Sequence, residues 1–282
     1  MRVLVTGSSG QLGSEVVEQL KRQACETVGV DMVAGPATDH LLDLCDAAEI
    51  HRLIKGIDAV IHIASLYTPH VPLLPKQKFV DTNVSSTLTL IEAAAEANVS
   101  RFVYTSTTSV YGFSLVPADR AVWVTEALAP QPRDIYDITK LAAEQLCINM
   151  SRETDIPVVC LRVCRFFNEP PELMAIHRLY RGADLTDVAR GHIQALMVEL
   201  SGAHILNVAG PYPFREQDTQ ELLHDARSVI LRYFPAAERL FAKRGWKLPT
   251  TIDRVYSSRA ATGLLGYQPQ AGFLEFLSGL CT

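Results

Sequence analysis

Val3-Leu4-Val5-Thr6-Gly7-Ser8-Ser9-Gly10-Gln11-Leu12-Gly13 is the stretch that decides the fold. Its apolar run predicts a buried strand, and the residues from about 11 to 23 continue as a helix. Between them lie three glycines at intervals of three. In a strand–turn–helix context the first glycine permits a tight turn and the second lets a ligand phosphate approach the backbone. The third lets helix and strand pack closely. The helix start then offers unpaired N–H groups and a partial positive charge to a pyrophosphate. Ser9, Gly10, Gln11 and Leu12 line that candidate site. The GxxGxxG spacing is one residue wider than the simplest dinucleotide fingerprint, and plain turn chemistry is the competing reading of such glycines.

Residues 27–31 read as a second strand ending in an acid, Asp31, 18 residues past Gly13. That register places a carboxylate beside the end of the first strand, where it can accept both hydroxyls of an adenosine ribose. No Arg or Lys follows Asp31 closely, and a carboxylate there repels a 2'-phosphate, so NAD is favoured over NADP. Residues 40–44 predict a short third strand, with Asp43 within reach of an adenine edge, and 47–54 a short helix. A further apolar strand over 58–64 runs into Ala64 and Ser65, small enough for a nicotinamide to lie close to the backbone. His62 falls inside that apolar run and reads as a core histidine. His70 lies between Pro69 and Pro72 and faces either substrate or solvent.

A long helix is predicted over 81–97 and another strand over 101–106. Strands alternating with helices at this rhythm give an α/β fold, a doubly wound parallel sheet covered on both faces with right-handed crossovers. Ligands of such sheets bind beyond the C-terminal strand ends, where Gly7, Asp31, Asp43, Ala64 and Ser106 all fall.

The bulk properties narrow the function. With 282 residues, 48% of them apolar and 20% charged, the chain can bury a large core. Its 26 basic and 31 acidic residues give a net charge of -5, which argues against nucleic acid as main partner. No apolar stretch approaches a membrane span, and the chain starts directly in a strand, so no membrane partner and a cytoplasmic location are expected. Cys25, Cys45, Cys147, Cys160, Cys164 and Cys281 lack CxxC pairing and read mostly as reduced core cysteines. The eight histidines show no HExxH or HxH spacing, so no metal is expected.

Hydroxyls cluster over 105–109, and Tyr136 and Lys140 stand four apart near the start of a helix running to about 150. Four residues apart, they share one helix face. A phenol ordinarily holds its proton to about pH 10, but a neighbouring ammonium favours the phenolate. Such a tyrosine can take a proton from a substrate hydroxyl as a hydride leaves its carbon. Lys140 can also hold the nicotinamide ribose, and a hydroxyl at the strand end can bond the same substrate oxygen.

In this order, Thr6-Gly7-x-x-Gly10-x-x-Gly13, the 106–112 text Ser-Thr-Thr-Ser-Val-Tyr-Gly and Tyr136-x-x-x-Lys140 resemble the extended short-chain dehydrogenase/reductases, in their nucleotide-sugar epimerase/dehydratase branch. The resemblance implies a Rossmann-type fold with a small C-terminal substrate lobe and bound NAD. It makes Thr107 the catalytic hydroxyl beside Tyr136 and Lys140, with Ser106 the neighbouring contender and Thr108 near substrate. It also implies an adenine contact at Asp43 and Leu44, cofactor contacts at Ala64 and Thr105, and a structural or proton-relay role for Asn83 beside the cofactor. Residues 1–165 form the expected NAD-binding domain, with 184–210 packing on it, and 166–183 and 211–282 the substrate lobe. Homodimerisation through helices 81–97 and 140–150 is a further expectation from the family.

The chain also departs from the family. Arg165 stands where a substrate-contacting Asn is usual, so it pairs either with a substrate carboxylate or phosphate or with an acid such as Asp187. The short interval before residue 184 implies a smaller or more open pocket, and Thr186 or Asp187 reads as the cap of the helix over 187–199. The basic stretch 232–247 either grips a diphosphate or is a solvated face with its aromatics turned inward. The leading expectation is an NAD-dependent epimerase of a sugar or nucleotide sugar working through a keto intermediate. Its alternatives are a net dehydrogenase or reductase of a small sugar, sugar acid or ketone, and a nucleotide-binding regulator without catalysis.

Overall fold

The computed structural model describes residues 1–280, so Cys281 lies outside the described residues. The strands are β1 (Arg2–Thr6), β2 (Glu26–Asp31), β3 (His40–Leu41), β4 (Ala59–His62), β5 (Arg101–Thr107), β6 (Val122–Val124), β7 (Val158–Val163), β8 (Ala203–Val208) and β9 (Arg254–Tyr256). The helices are α1 (Gln11–Arg22), α2 (Ala47–Leu53), α3 (Lys76–Val80), α4 (Ser86–Glu96), α5 (Ile135–Thr154), α6 (Pro171–Tyr180), α7 (Leu185–Met197), α8 (Thr219–Tyr233), α9 (Ala237–Ala242), α10 (Arg259–Leu265) and α11 (Phe273–Gly279).

Seven strands form one sheet in the order β3-β2-β1-β4-β5-β7-β8. Val3 pairs with Thr27 on one side and Ala59 on the other, Ala59 with Arg101, and Phe102 with Val158, all in parallel register. Helices cover both faces of a parallel sheet, so its central strands are buried along their length and are largely apolar at their centres. The winding reverses between β1 and β4, the switch point beyond whose strand ends ligands of such sheets bind. This is the Rossmann-type arrangement expected from the sequence.

The chain divides into two compact units. The first comprises residues 1–110, 132–163 and 189–206, the second 111–131, 164–188 and 207–280. Leu4, Val30, Val60, Phe102 and Val158 anchor the core of the first. In the second, β6 and β9 form a small parallel ladder, and Phe214, Leu222, Ile230, Phe241 and Phe273 build a separate core. Residues 111–131 cluster with the second unit because β6 pairs with β9, a partner more than a hundred residues away.

Three local readings change, and one interval gains a helix. The third strand stops at Leu41. The helix expected over 81–97 is α3 and α4 joined by a π-helical turn, Asp81–Ser85. The interval before residue 184, read from the sequence for its shortness alone, carries helix α6. Asp184, rather than Thr186 or Asp187, accepts the N–H of Thr186 at the start of α7, at 2.9 Å. The Asp187 carboxylate instead accepts the N–H groups of Gln270 and Ala271 at 2.9 Å. In the basic stretch, Phe241 is buried in the second core with Phe234 and Trp246 packed against it, and Arg232 pairs with Glu221, so the aromatics do turn inward. Among the described residues no helix is long and apolar enough to cross a membrane.

Candidate active site

The glycine turn is built by close approach. Gly7 adopts φ +72°, and a Cβ there would lie 2.8 Å from Ala64 N. A Cβ on Gly13 would come within 2.0 Å of Gly7 O, so α1 can start this near β1 only without a side chain at that position. Gly10 is the N-cap of α1, with no side-chain cap and no acid in the first turn. The helix start at Gln11 and Leu12 therefore keeps its partial positive charge for an anion. Asp31 accepts the N–H of Ser9 through Oδ2 and that of Val33 through Oδ1, each at 3.1 Å, which fixes its carboxylate at the turn. A cradle closed to side chains, an uncapped helix start and an oriented carboxylate together fit a dinucleotide.

Asn83 shapes the other wall. It sits in the π-helical turn and is buried. Its amide bonds the backbone of Leu66 in both directions, accepting at 2.8 Å and donating at 3.0 Å, and donates to Thr139 Oγ1 on α5 at 3.1 Å. These bonds commit both ends of the amide to fixing the loop after Ala64 and Ser65. A π-turn supplies the local opening that such a side chain needs.

Thr107, Tyr136 and Lys140 come together in the first unit. Thr107 ends β5 beside Tyr136, near enough for its hydroxyl to favour the phenolate, and its Oγ1 accepts the N–H of Ser109 at 3.1 Å. Tyr136 and Lys140 lie in the first two turns of α5, whose N-cap Asp134 accepts the N–H of Asp137 at 3.0 Å. Lys140 is only 2% exposed. Burial pushes the Tyr136 phenol up to about 12, opposed by the Thr107 hydroxyl and reinforced by Asp137 and Asp134. Burial lowers the Lys140 ammonium to about 7, against the opposing influence of Cys147, Cys160 and Glu144.

The lysine leaves a signature in stability. An unfolded lysine holds its proton to about pH 10.4, so between about pH 7 and that value the unfolded chain binds a proton that the folded chain does not. Stability therefore rises with pH across this window. Lys140→Met is expected to remove up to about 1.4 kcal/mol per pH unit of that slope. Denaturant unfolding at pH 7.5 and pH 9 measures it, and an unaltered slope rejects a depressed lysine.

β5 separates the two hydroxyls that the sequence leaves in contention. Ser106 donates to Glu144 Oε2 at 2.8 Å, on the side where Glu144 pairs with Arg162. Thr107 meets Tyr136, and Thr105 is bonded to His192 on α7 at 2.9 Å. Thr108 donates to Val163 O at 3.3 Å. Asp43 is exposed and accepts the N–H of Cys45 at 3.0 Å, while the Leu44 side chain enters the core. His70 accepts the Tyr67 N–H at 3.2 Å through Nδ1. In the second unit Arg165 pairs with Glu169, not Asp187, and Glu169 also bonds His177 Nδ1 at 2.9 Å. Glu144 is the participant that sequence reading misses. Its spacing of four beyond Lys140, on the same helix face, is the available signal.

The model of the family described as "NAD dependent epimerase/dehydratase family" matches residues 3–178. An uncharacterized UDP-glucose epimerase, YtcB, of Bacillus subtilis (strain 168) is 29% identical over 204 residues, 64% of this chain and 62% of that protein. The chain thus spans about three fifths of that relative's length. The low-salt glycan biosynthesis protein Agl12 of Haloferax volcanii is 30% identical over 98% of this chain and 96% of its own. Among solved structures, the UDP-glucuronic acid 4-epimerase of Bacillus cereus in complex with UDP-glucuronic acid and NAD is 25% identical. It superposes with a TM-score of 0.71 over 99% of this chain and 97% of that one.

Proposed function

Because this chain belongs to the NAD dependent epimerase/dehydratase family, with NAD as its cofactor, we propose that it is an epimerase of a sugar or nucleotide sugar. The observation that carries the reading is the buried convergence of Thr107, at the end of β5, with Tyr136 and, one helical turn on, Lys140. NAD, when bound, supplies a reversible hydride acceptor and a positive charge that favours the Tyr136 phenolate. Tyr136 Oη takes the proton of the reacting substrate hydroxyl as its carbon gives up a hydride, leaving a ketone. Thr107 bonds the same oxygen, and the Lys140 ammonium stabilises the developing phenolate. Return of hydride and proton after the ketone has turned inverts the centre. The glycine turn and Asp31 hold the dinucleotide, and Asn83 holds the loop beside it.

A second reading, net oxidation of a small sugar or sugar acid, draws on the second unit. Glu169 grips Arg165 through both oxygens and fixes a side chain that stays 44% exposed, which leaves the guanidinium's other N–H groups to meet a carboxylate or phosphate. A substrate panel followed at the NADH absorbance band separates the two. Conversion of a nucleotide sugar without net NADH supports the epimerase, and stoichiometric NADH from a free sugar acid replaces it with the dehydrogenase. The Asp31 geometry leads us to expect NAD to bind at least tenfold more tightly than NADP, and calorimetry with the opposite order rejects that role. The proposal includes a cytoplasmic homodimer formed through α4 and α5, which a monomeric sedimentation profile at micromolar concentration overturns.

A further inference from the structure

Lys140 Nζ stands 4.3 Å from the centre of the Tyr104 ring, and both side chains are buried. A cation over a ring face is held by the ring quadrupole, most strongly where water is excluded. The Tyr104 hydroxyl adds a long contact, 3.5 Å, to the Lys140 carbonyl. Behind the ring contact lies a second constraint. The His62 ring packs on Tyr104 with centroids 5.7 Å apart. His62 bonds Thr6 Oγ1 through Nδ1 at 2.7 Å and Thr87 Oγ1 through Nε2 at 2.9 Å. Thr87 gives its own proton to Asn83 O at 2.8 Å, so Nε2 carries the imidazole proton and Nδ1 accepts from Thr6. Both ring nitrogens are thereby used by a neutral imidazole, and burial with the nearby Lys140 charge lowers His62 to about 3.

We propose that Tyr104 is a positioning residue for Lys140, its aromatic face favouring the ammonium form and holding it in place while neutral His62 keeps a second cation away from the ring. The proposal rests on the reading of Lys140 as part of the proton-transfer pair. The groups that act on the ammonium are Glu144 and Cys147 from α5, Cys160 from β7 and His62 from β4, with Tyr136 near Tyr104. Glu144 is already shared between Arg162 and Ser106, so its charge is largely committed. The contact with Cys147 and burial push the Cys160 thiol well above the ordinary thiol value, so Cys160 brings no charge to the ammonium at neutral pH. Among the described residues, the Tyr104 ring face at 4.3 Å is the contact that the ammonium itself makes.

The test is a proton titration of Lys140 by NMR in protein carrying 13Cε-labelled lysine, with Lys140→Met assigning the resonance. Tyr104→Phe keeps the ring face and is expected to titrate within a few tenths of a unit of the native protein. A 3,4,5-trifluorophenylalanine at position 104 keeps the phenylalanine shape while weakening the negative face, and is expected to lower the Lys140 titration by about one unit. Tyr104→Leu should fall at least as far, and the fluorinated ring keeps the test open if that variant does not fold. Equal titration in all variants overturns the proposal. So does an equal fall with plain phenylalanine, because packing or the hydroxyl then accounts for it. The readout needs no substrate. If the titration follows the ring yet Tyr136→Phe retains turnover, the proton-transfer reading fails while the ring contact stands. The converse result removes only Tyr104.

Discussion

Tyr136→Phe is expected to lower turnover by about a thousandfold or more while leaving NAD affinity within about twofold. One oxygen is lost, and with it the group that moves the substrate proton, a role worth about 10²–10⁴ in rate. The glycine turn, Asp31 and Asn83 do not involve that oxygen, which is why the cofactor site should persist. The structural cost is small and local. Thr107 keeps the N–H of Ser109 as its partner, so the substitution removes one buried hydroxyl and no observed hydrogen bond. Thr107→Ala should cost less activity than Tyr136→Phe, because the threonine holds the substrate oxygen without taking its proton. The decisive measurement pairs steady-state rates on a substrate from the panel with calorimetric NAD binding. Native turnover in the phenylalanine variant rejects the mechanism, and lost NAD binding shows that Tyr136 acts mainly as scaffold.

The sequence exposes those parts of the molecule that repeat a local rule. Gly7 and Gly13 announce a turn because a Cβ at either would press on Ala64 N or Gly7 O, and Gly10 completes the pattern where a Cβ would lie 3.3 Å from Gly7 O. The apolar runs over β1, β4, β5 and β7 announce buried strands because both sheet faces are covered. Tyr136 and Lys140 are readable as a pair because four residues make one helical face. What escapes reading depends on contacts distant in sequence. The choice between Ser106 and Thr107 turns on Glu144 and Tyr136, some thirty to forty residues away, and on the alternation of a single strand. The break at Asp81–Ser85 serves a bond from Asn83 to Leu66, which no helical periodicity records. β6 exists only because β9 pairs with it. Arg165 takes Glu169, four residues on, rather than Asp187, whose carboxylate serves the backbone of Gln270 and Ala271.

Glu144→Gln is expected to destabilise the protein by about 3–5 kcal/mol, the usual cost of breaking a buried ion pair from one side. That is a large share of a typical total of about 5–15 kcal/mol. Glu144 is fully buried, bonds Arg162 through both oxygens with Nε at 3.0 Å, and accepts from Ser106. Glutamine keeps the shape and removes the charge, so the guanidinium loses its counter-charge in a region that water does not reach. Joint replacement, Glu144→Leu with Arg162→Met, should restore most of the stability, because a well-packed apolar pair avoids the desolvation of both ions. Urea unfolding measures each case, and a native midpoint for Glu144→Gln rules out a structural pair. The pair also joins α5, one turn beyond Lys140, to β5 and β7. If its task is to fix the rotation of α5, the double variant should keep its midpoint yet lose turnover, since Tyr136 and Lys140 ride on that helix. If the pair only fills space, stability and turnover recover together.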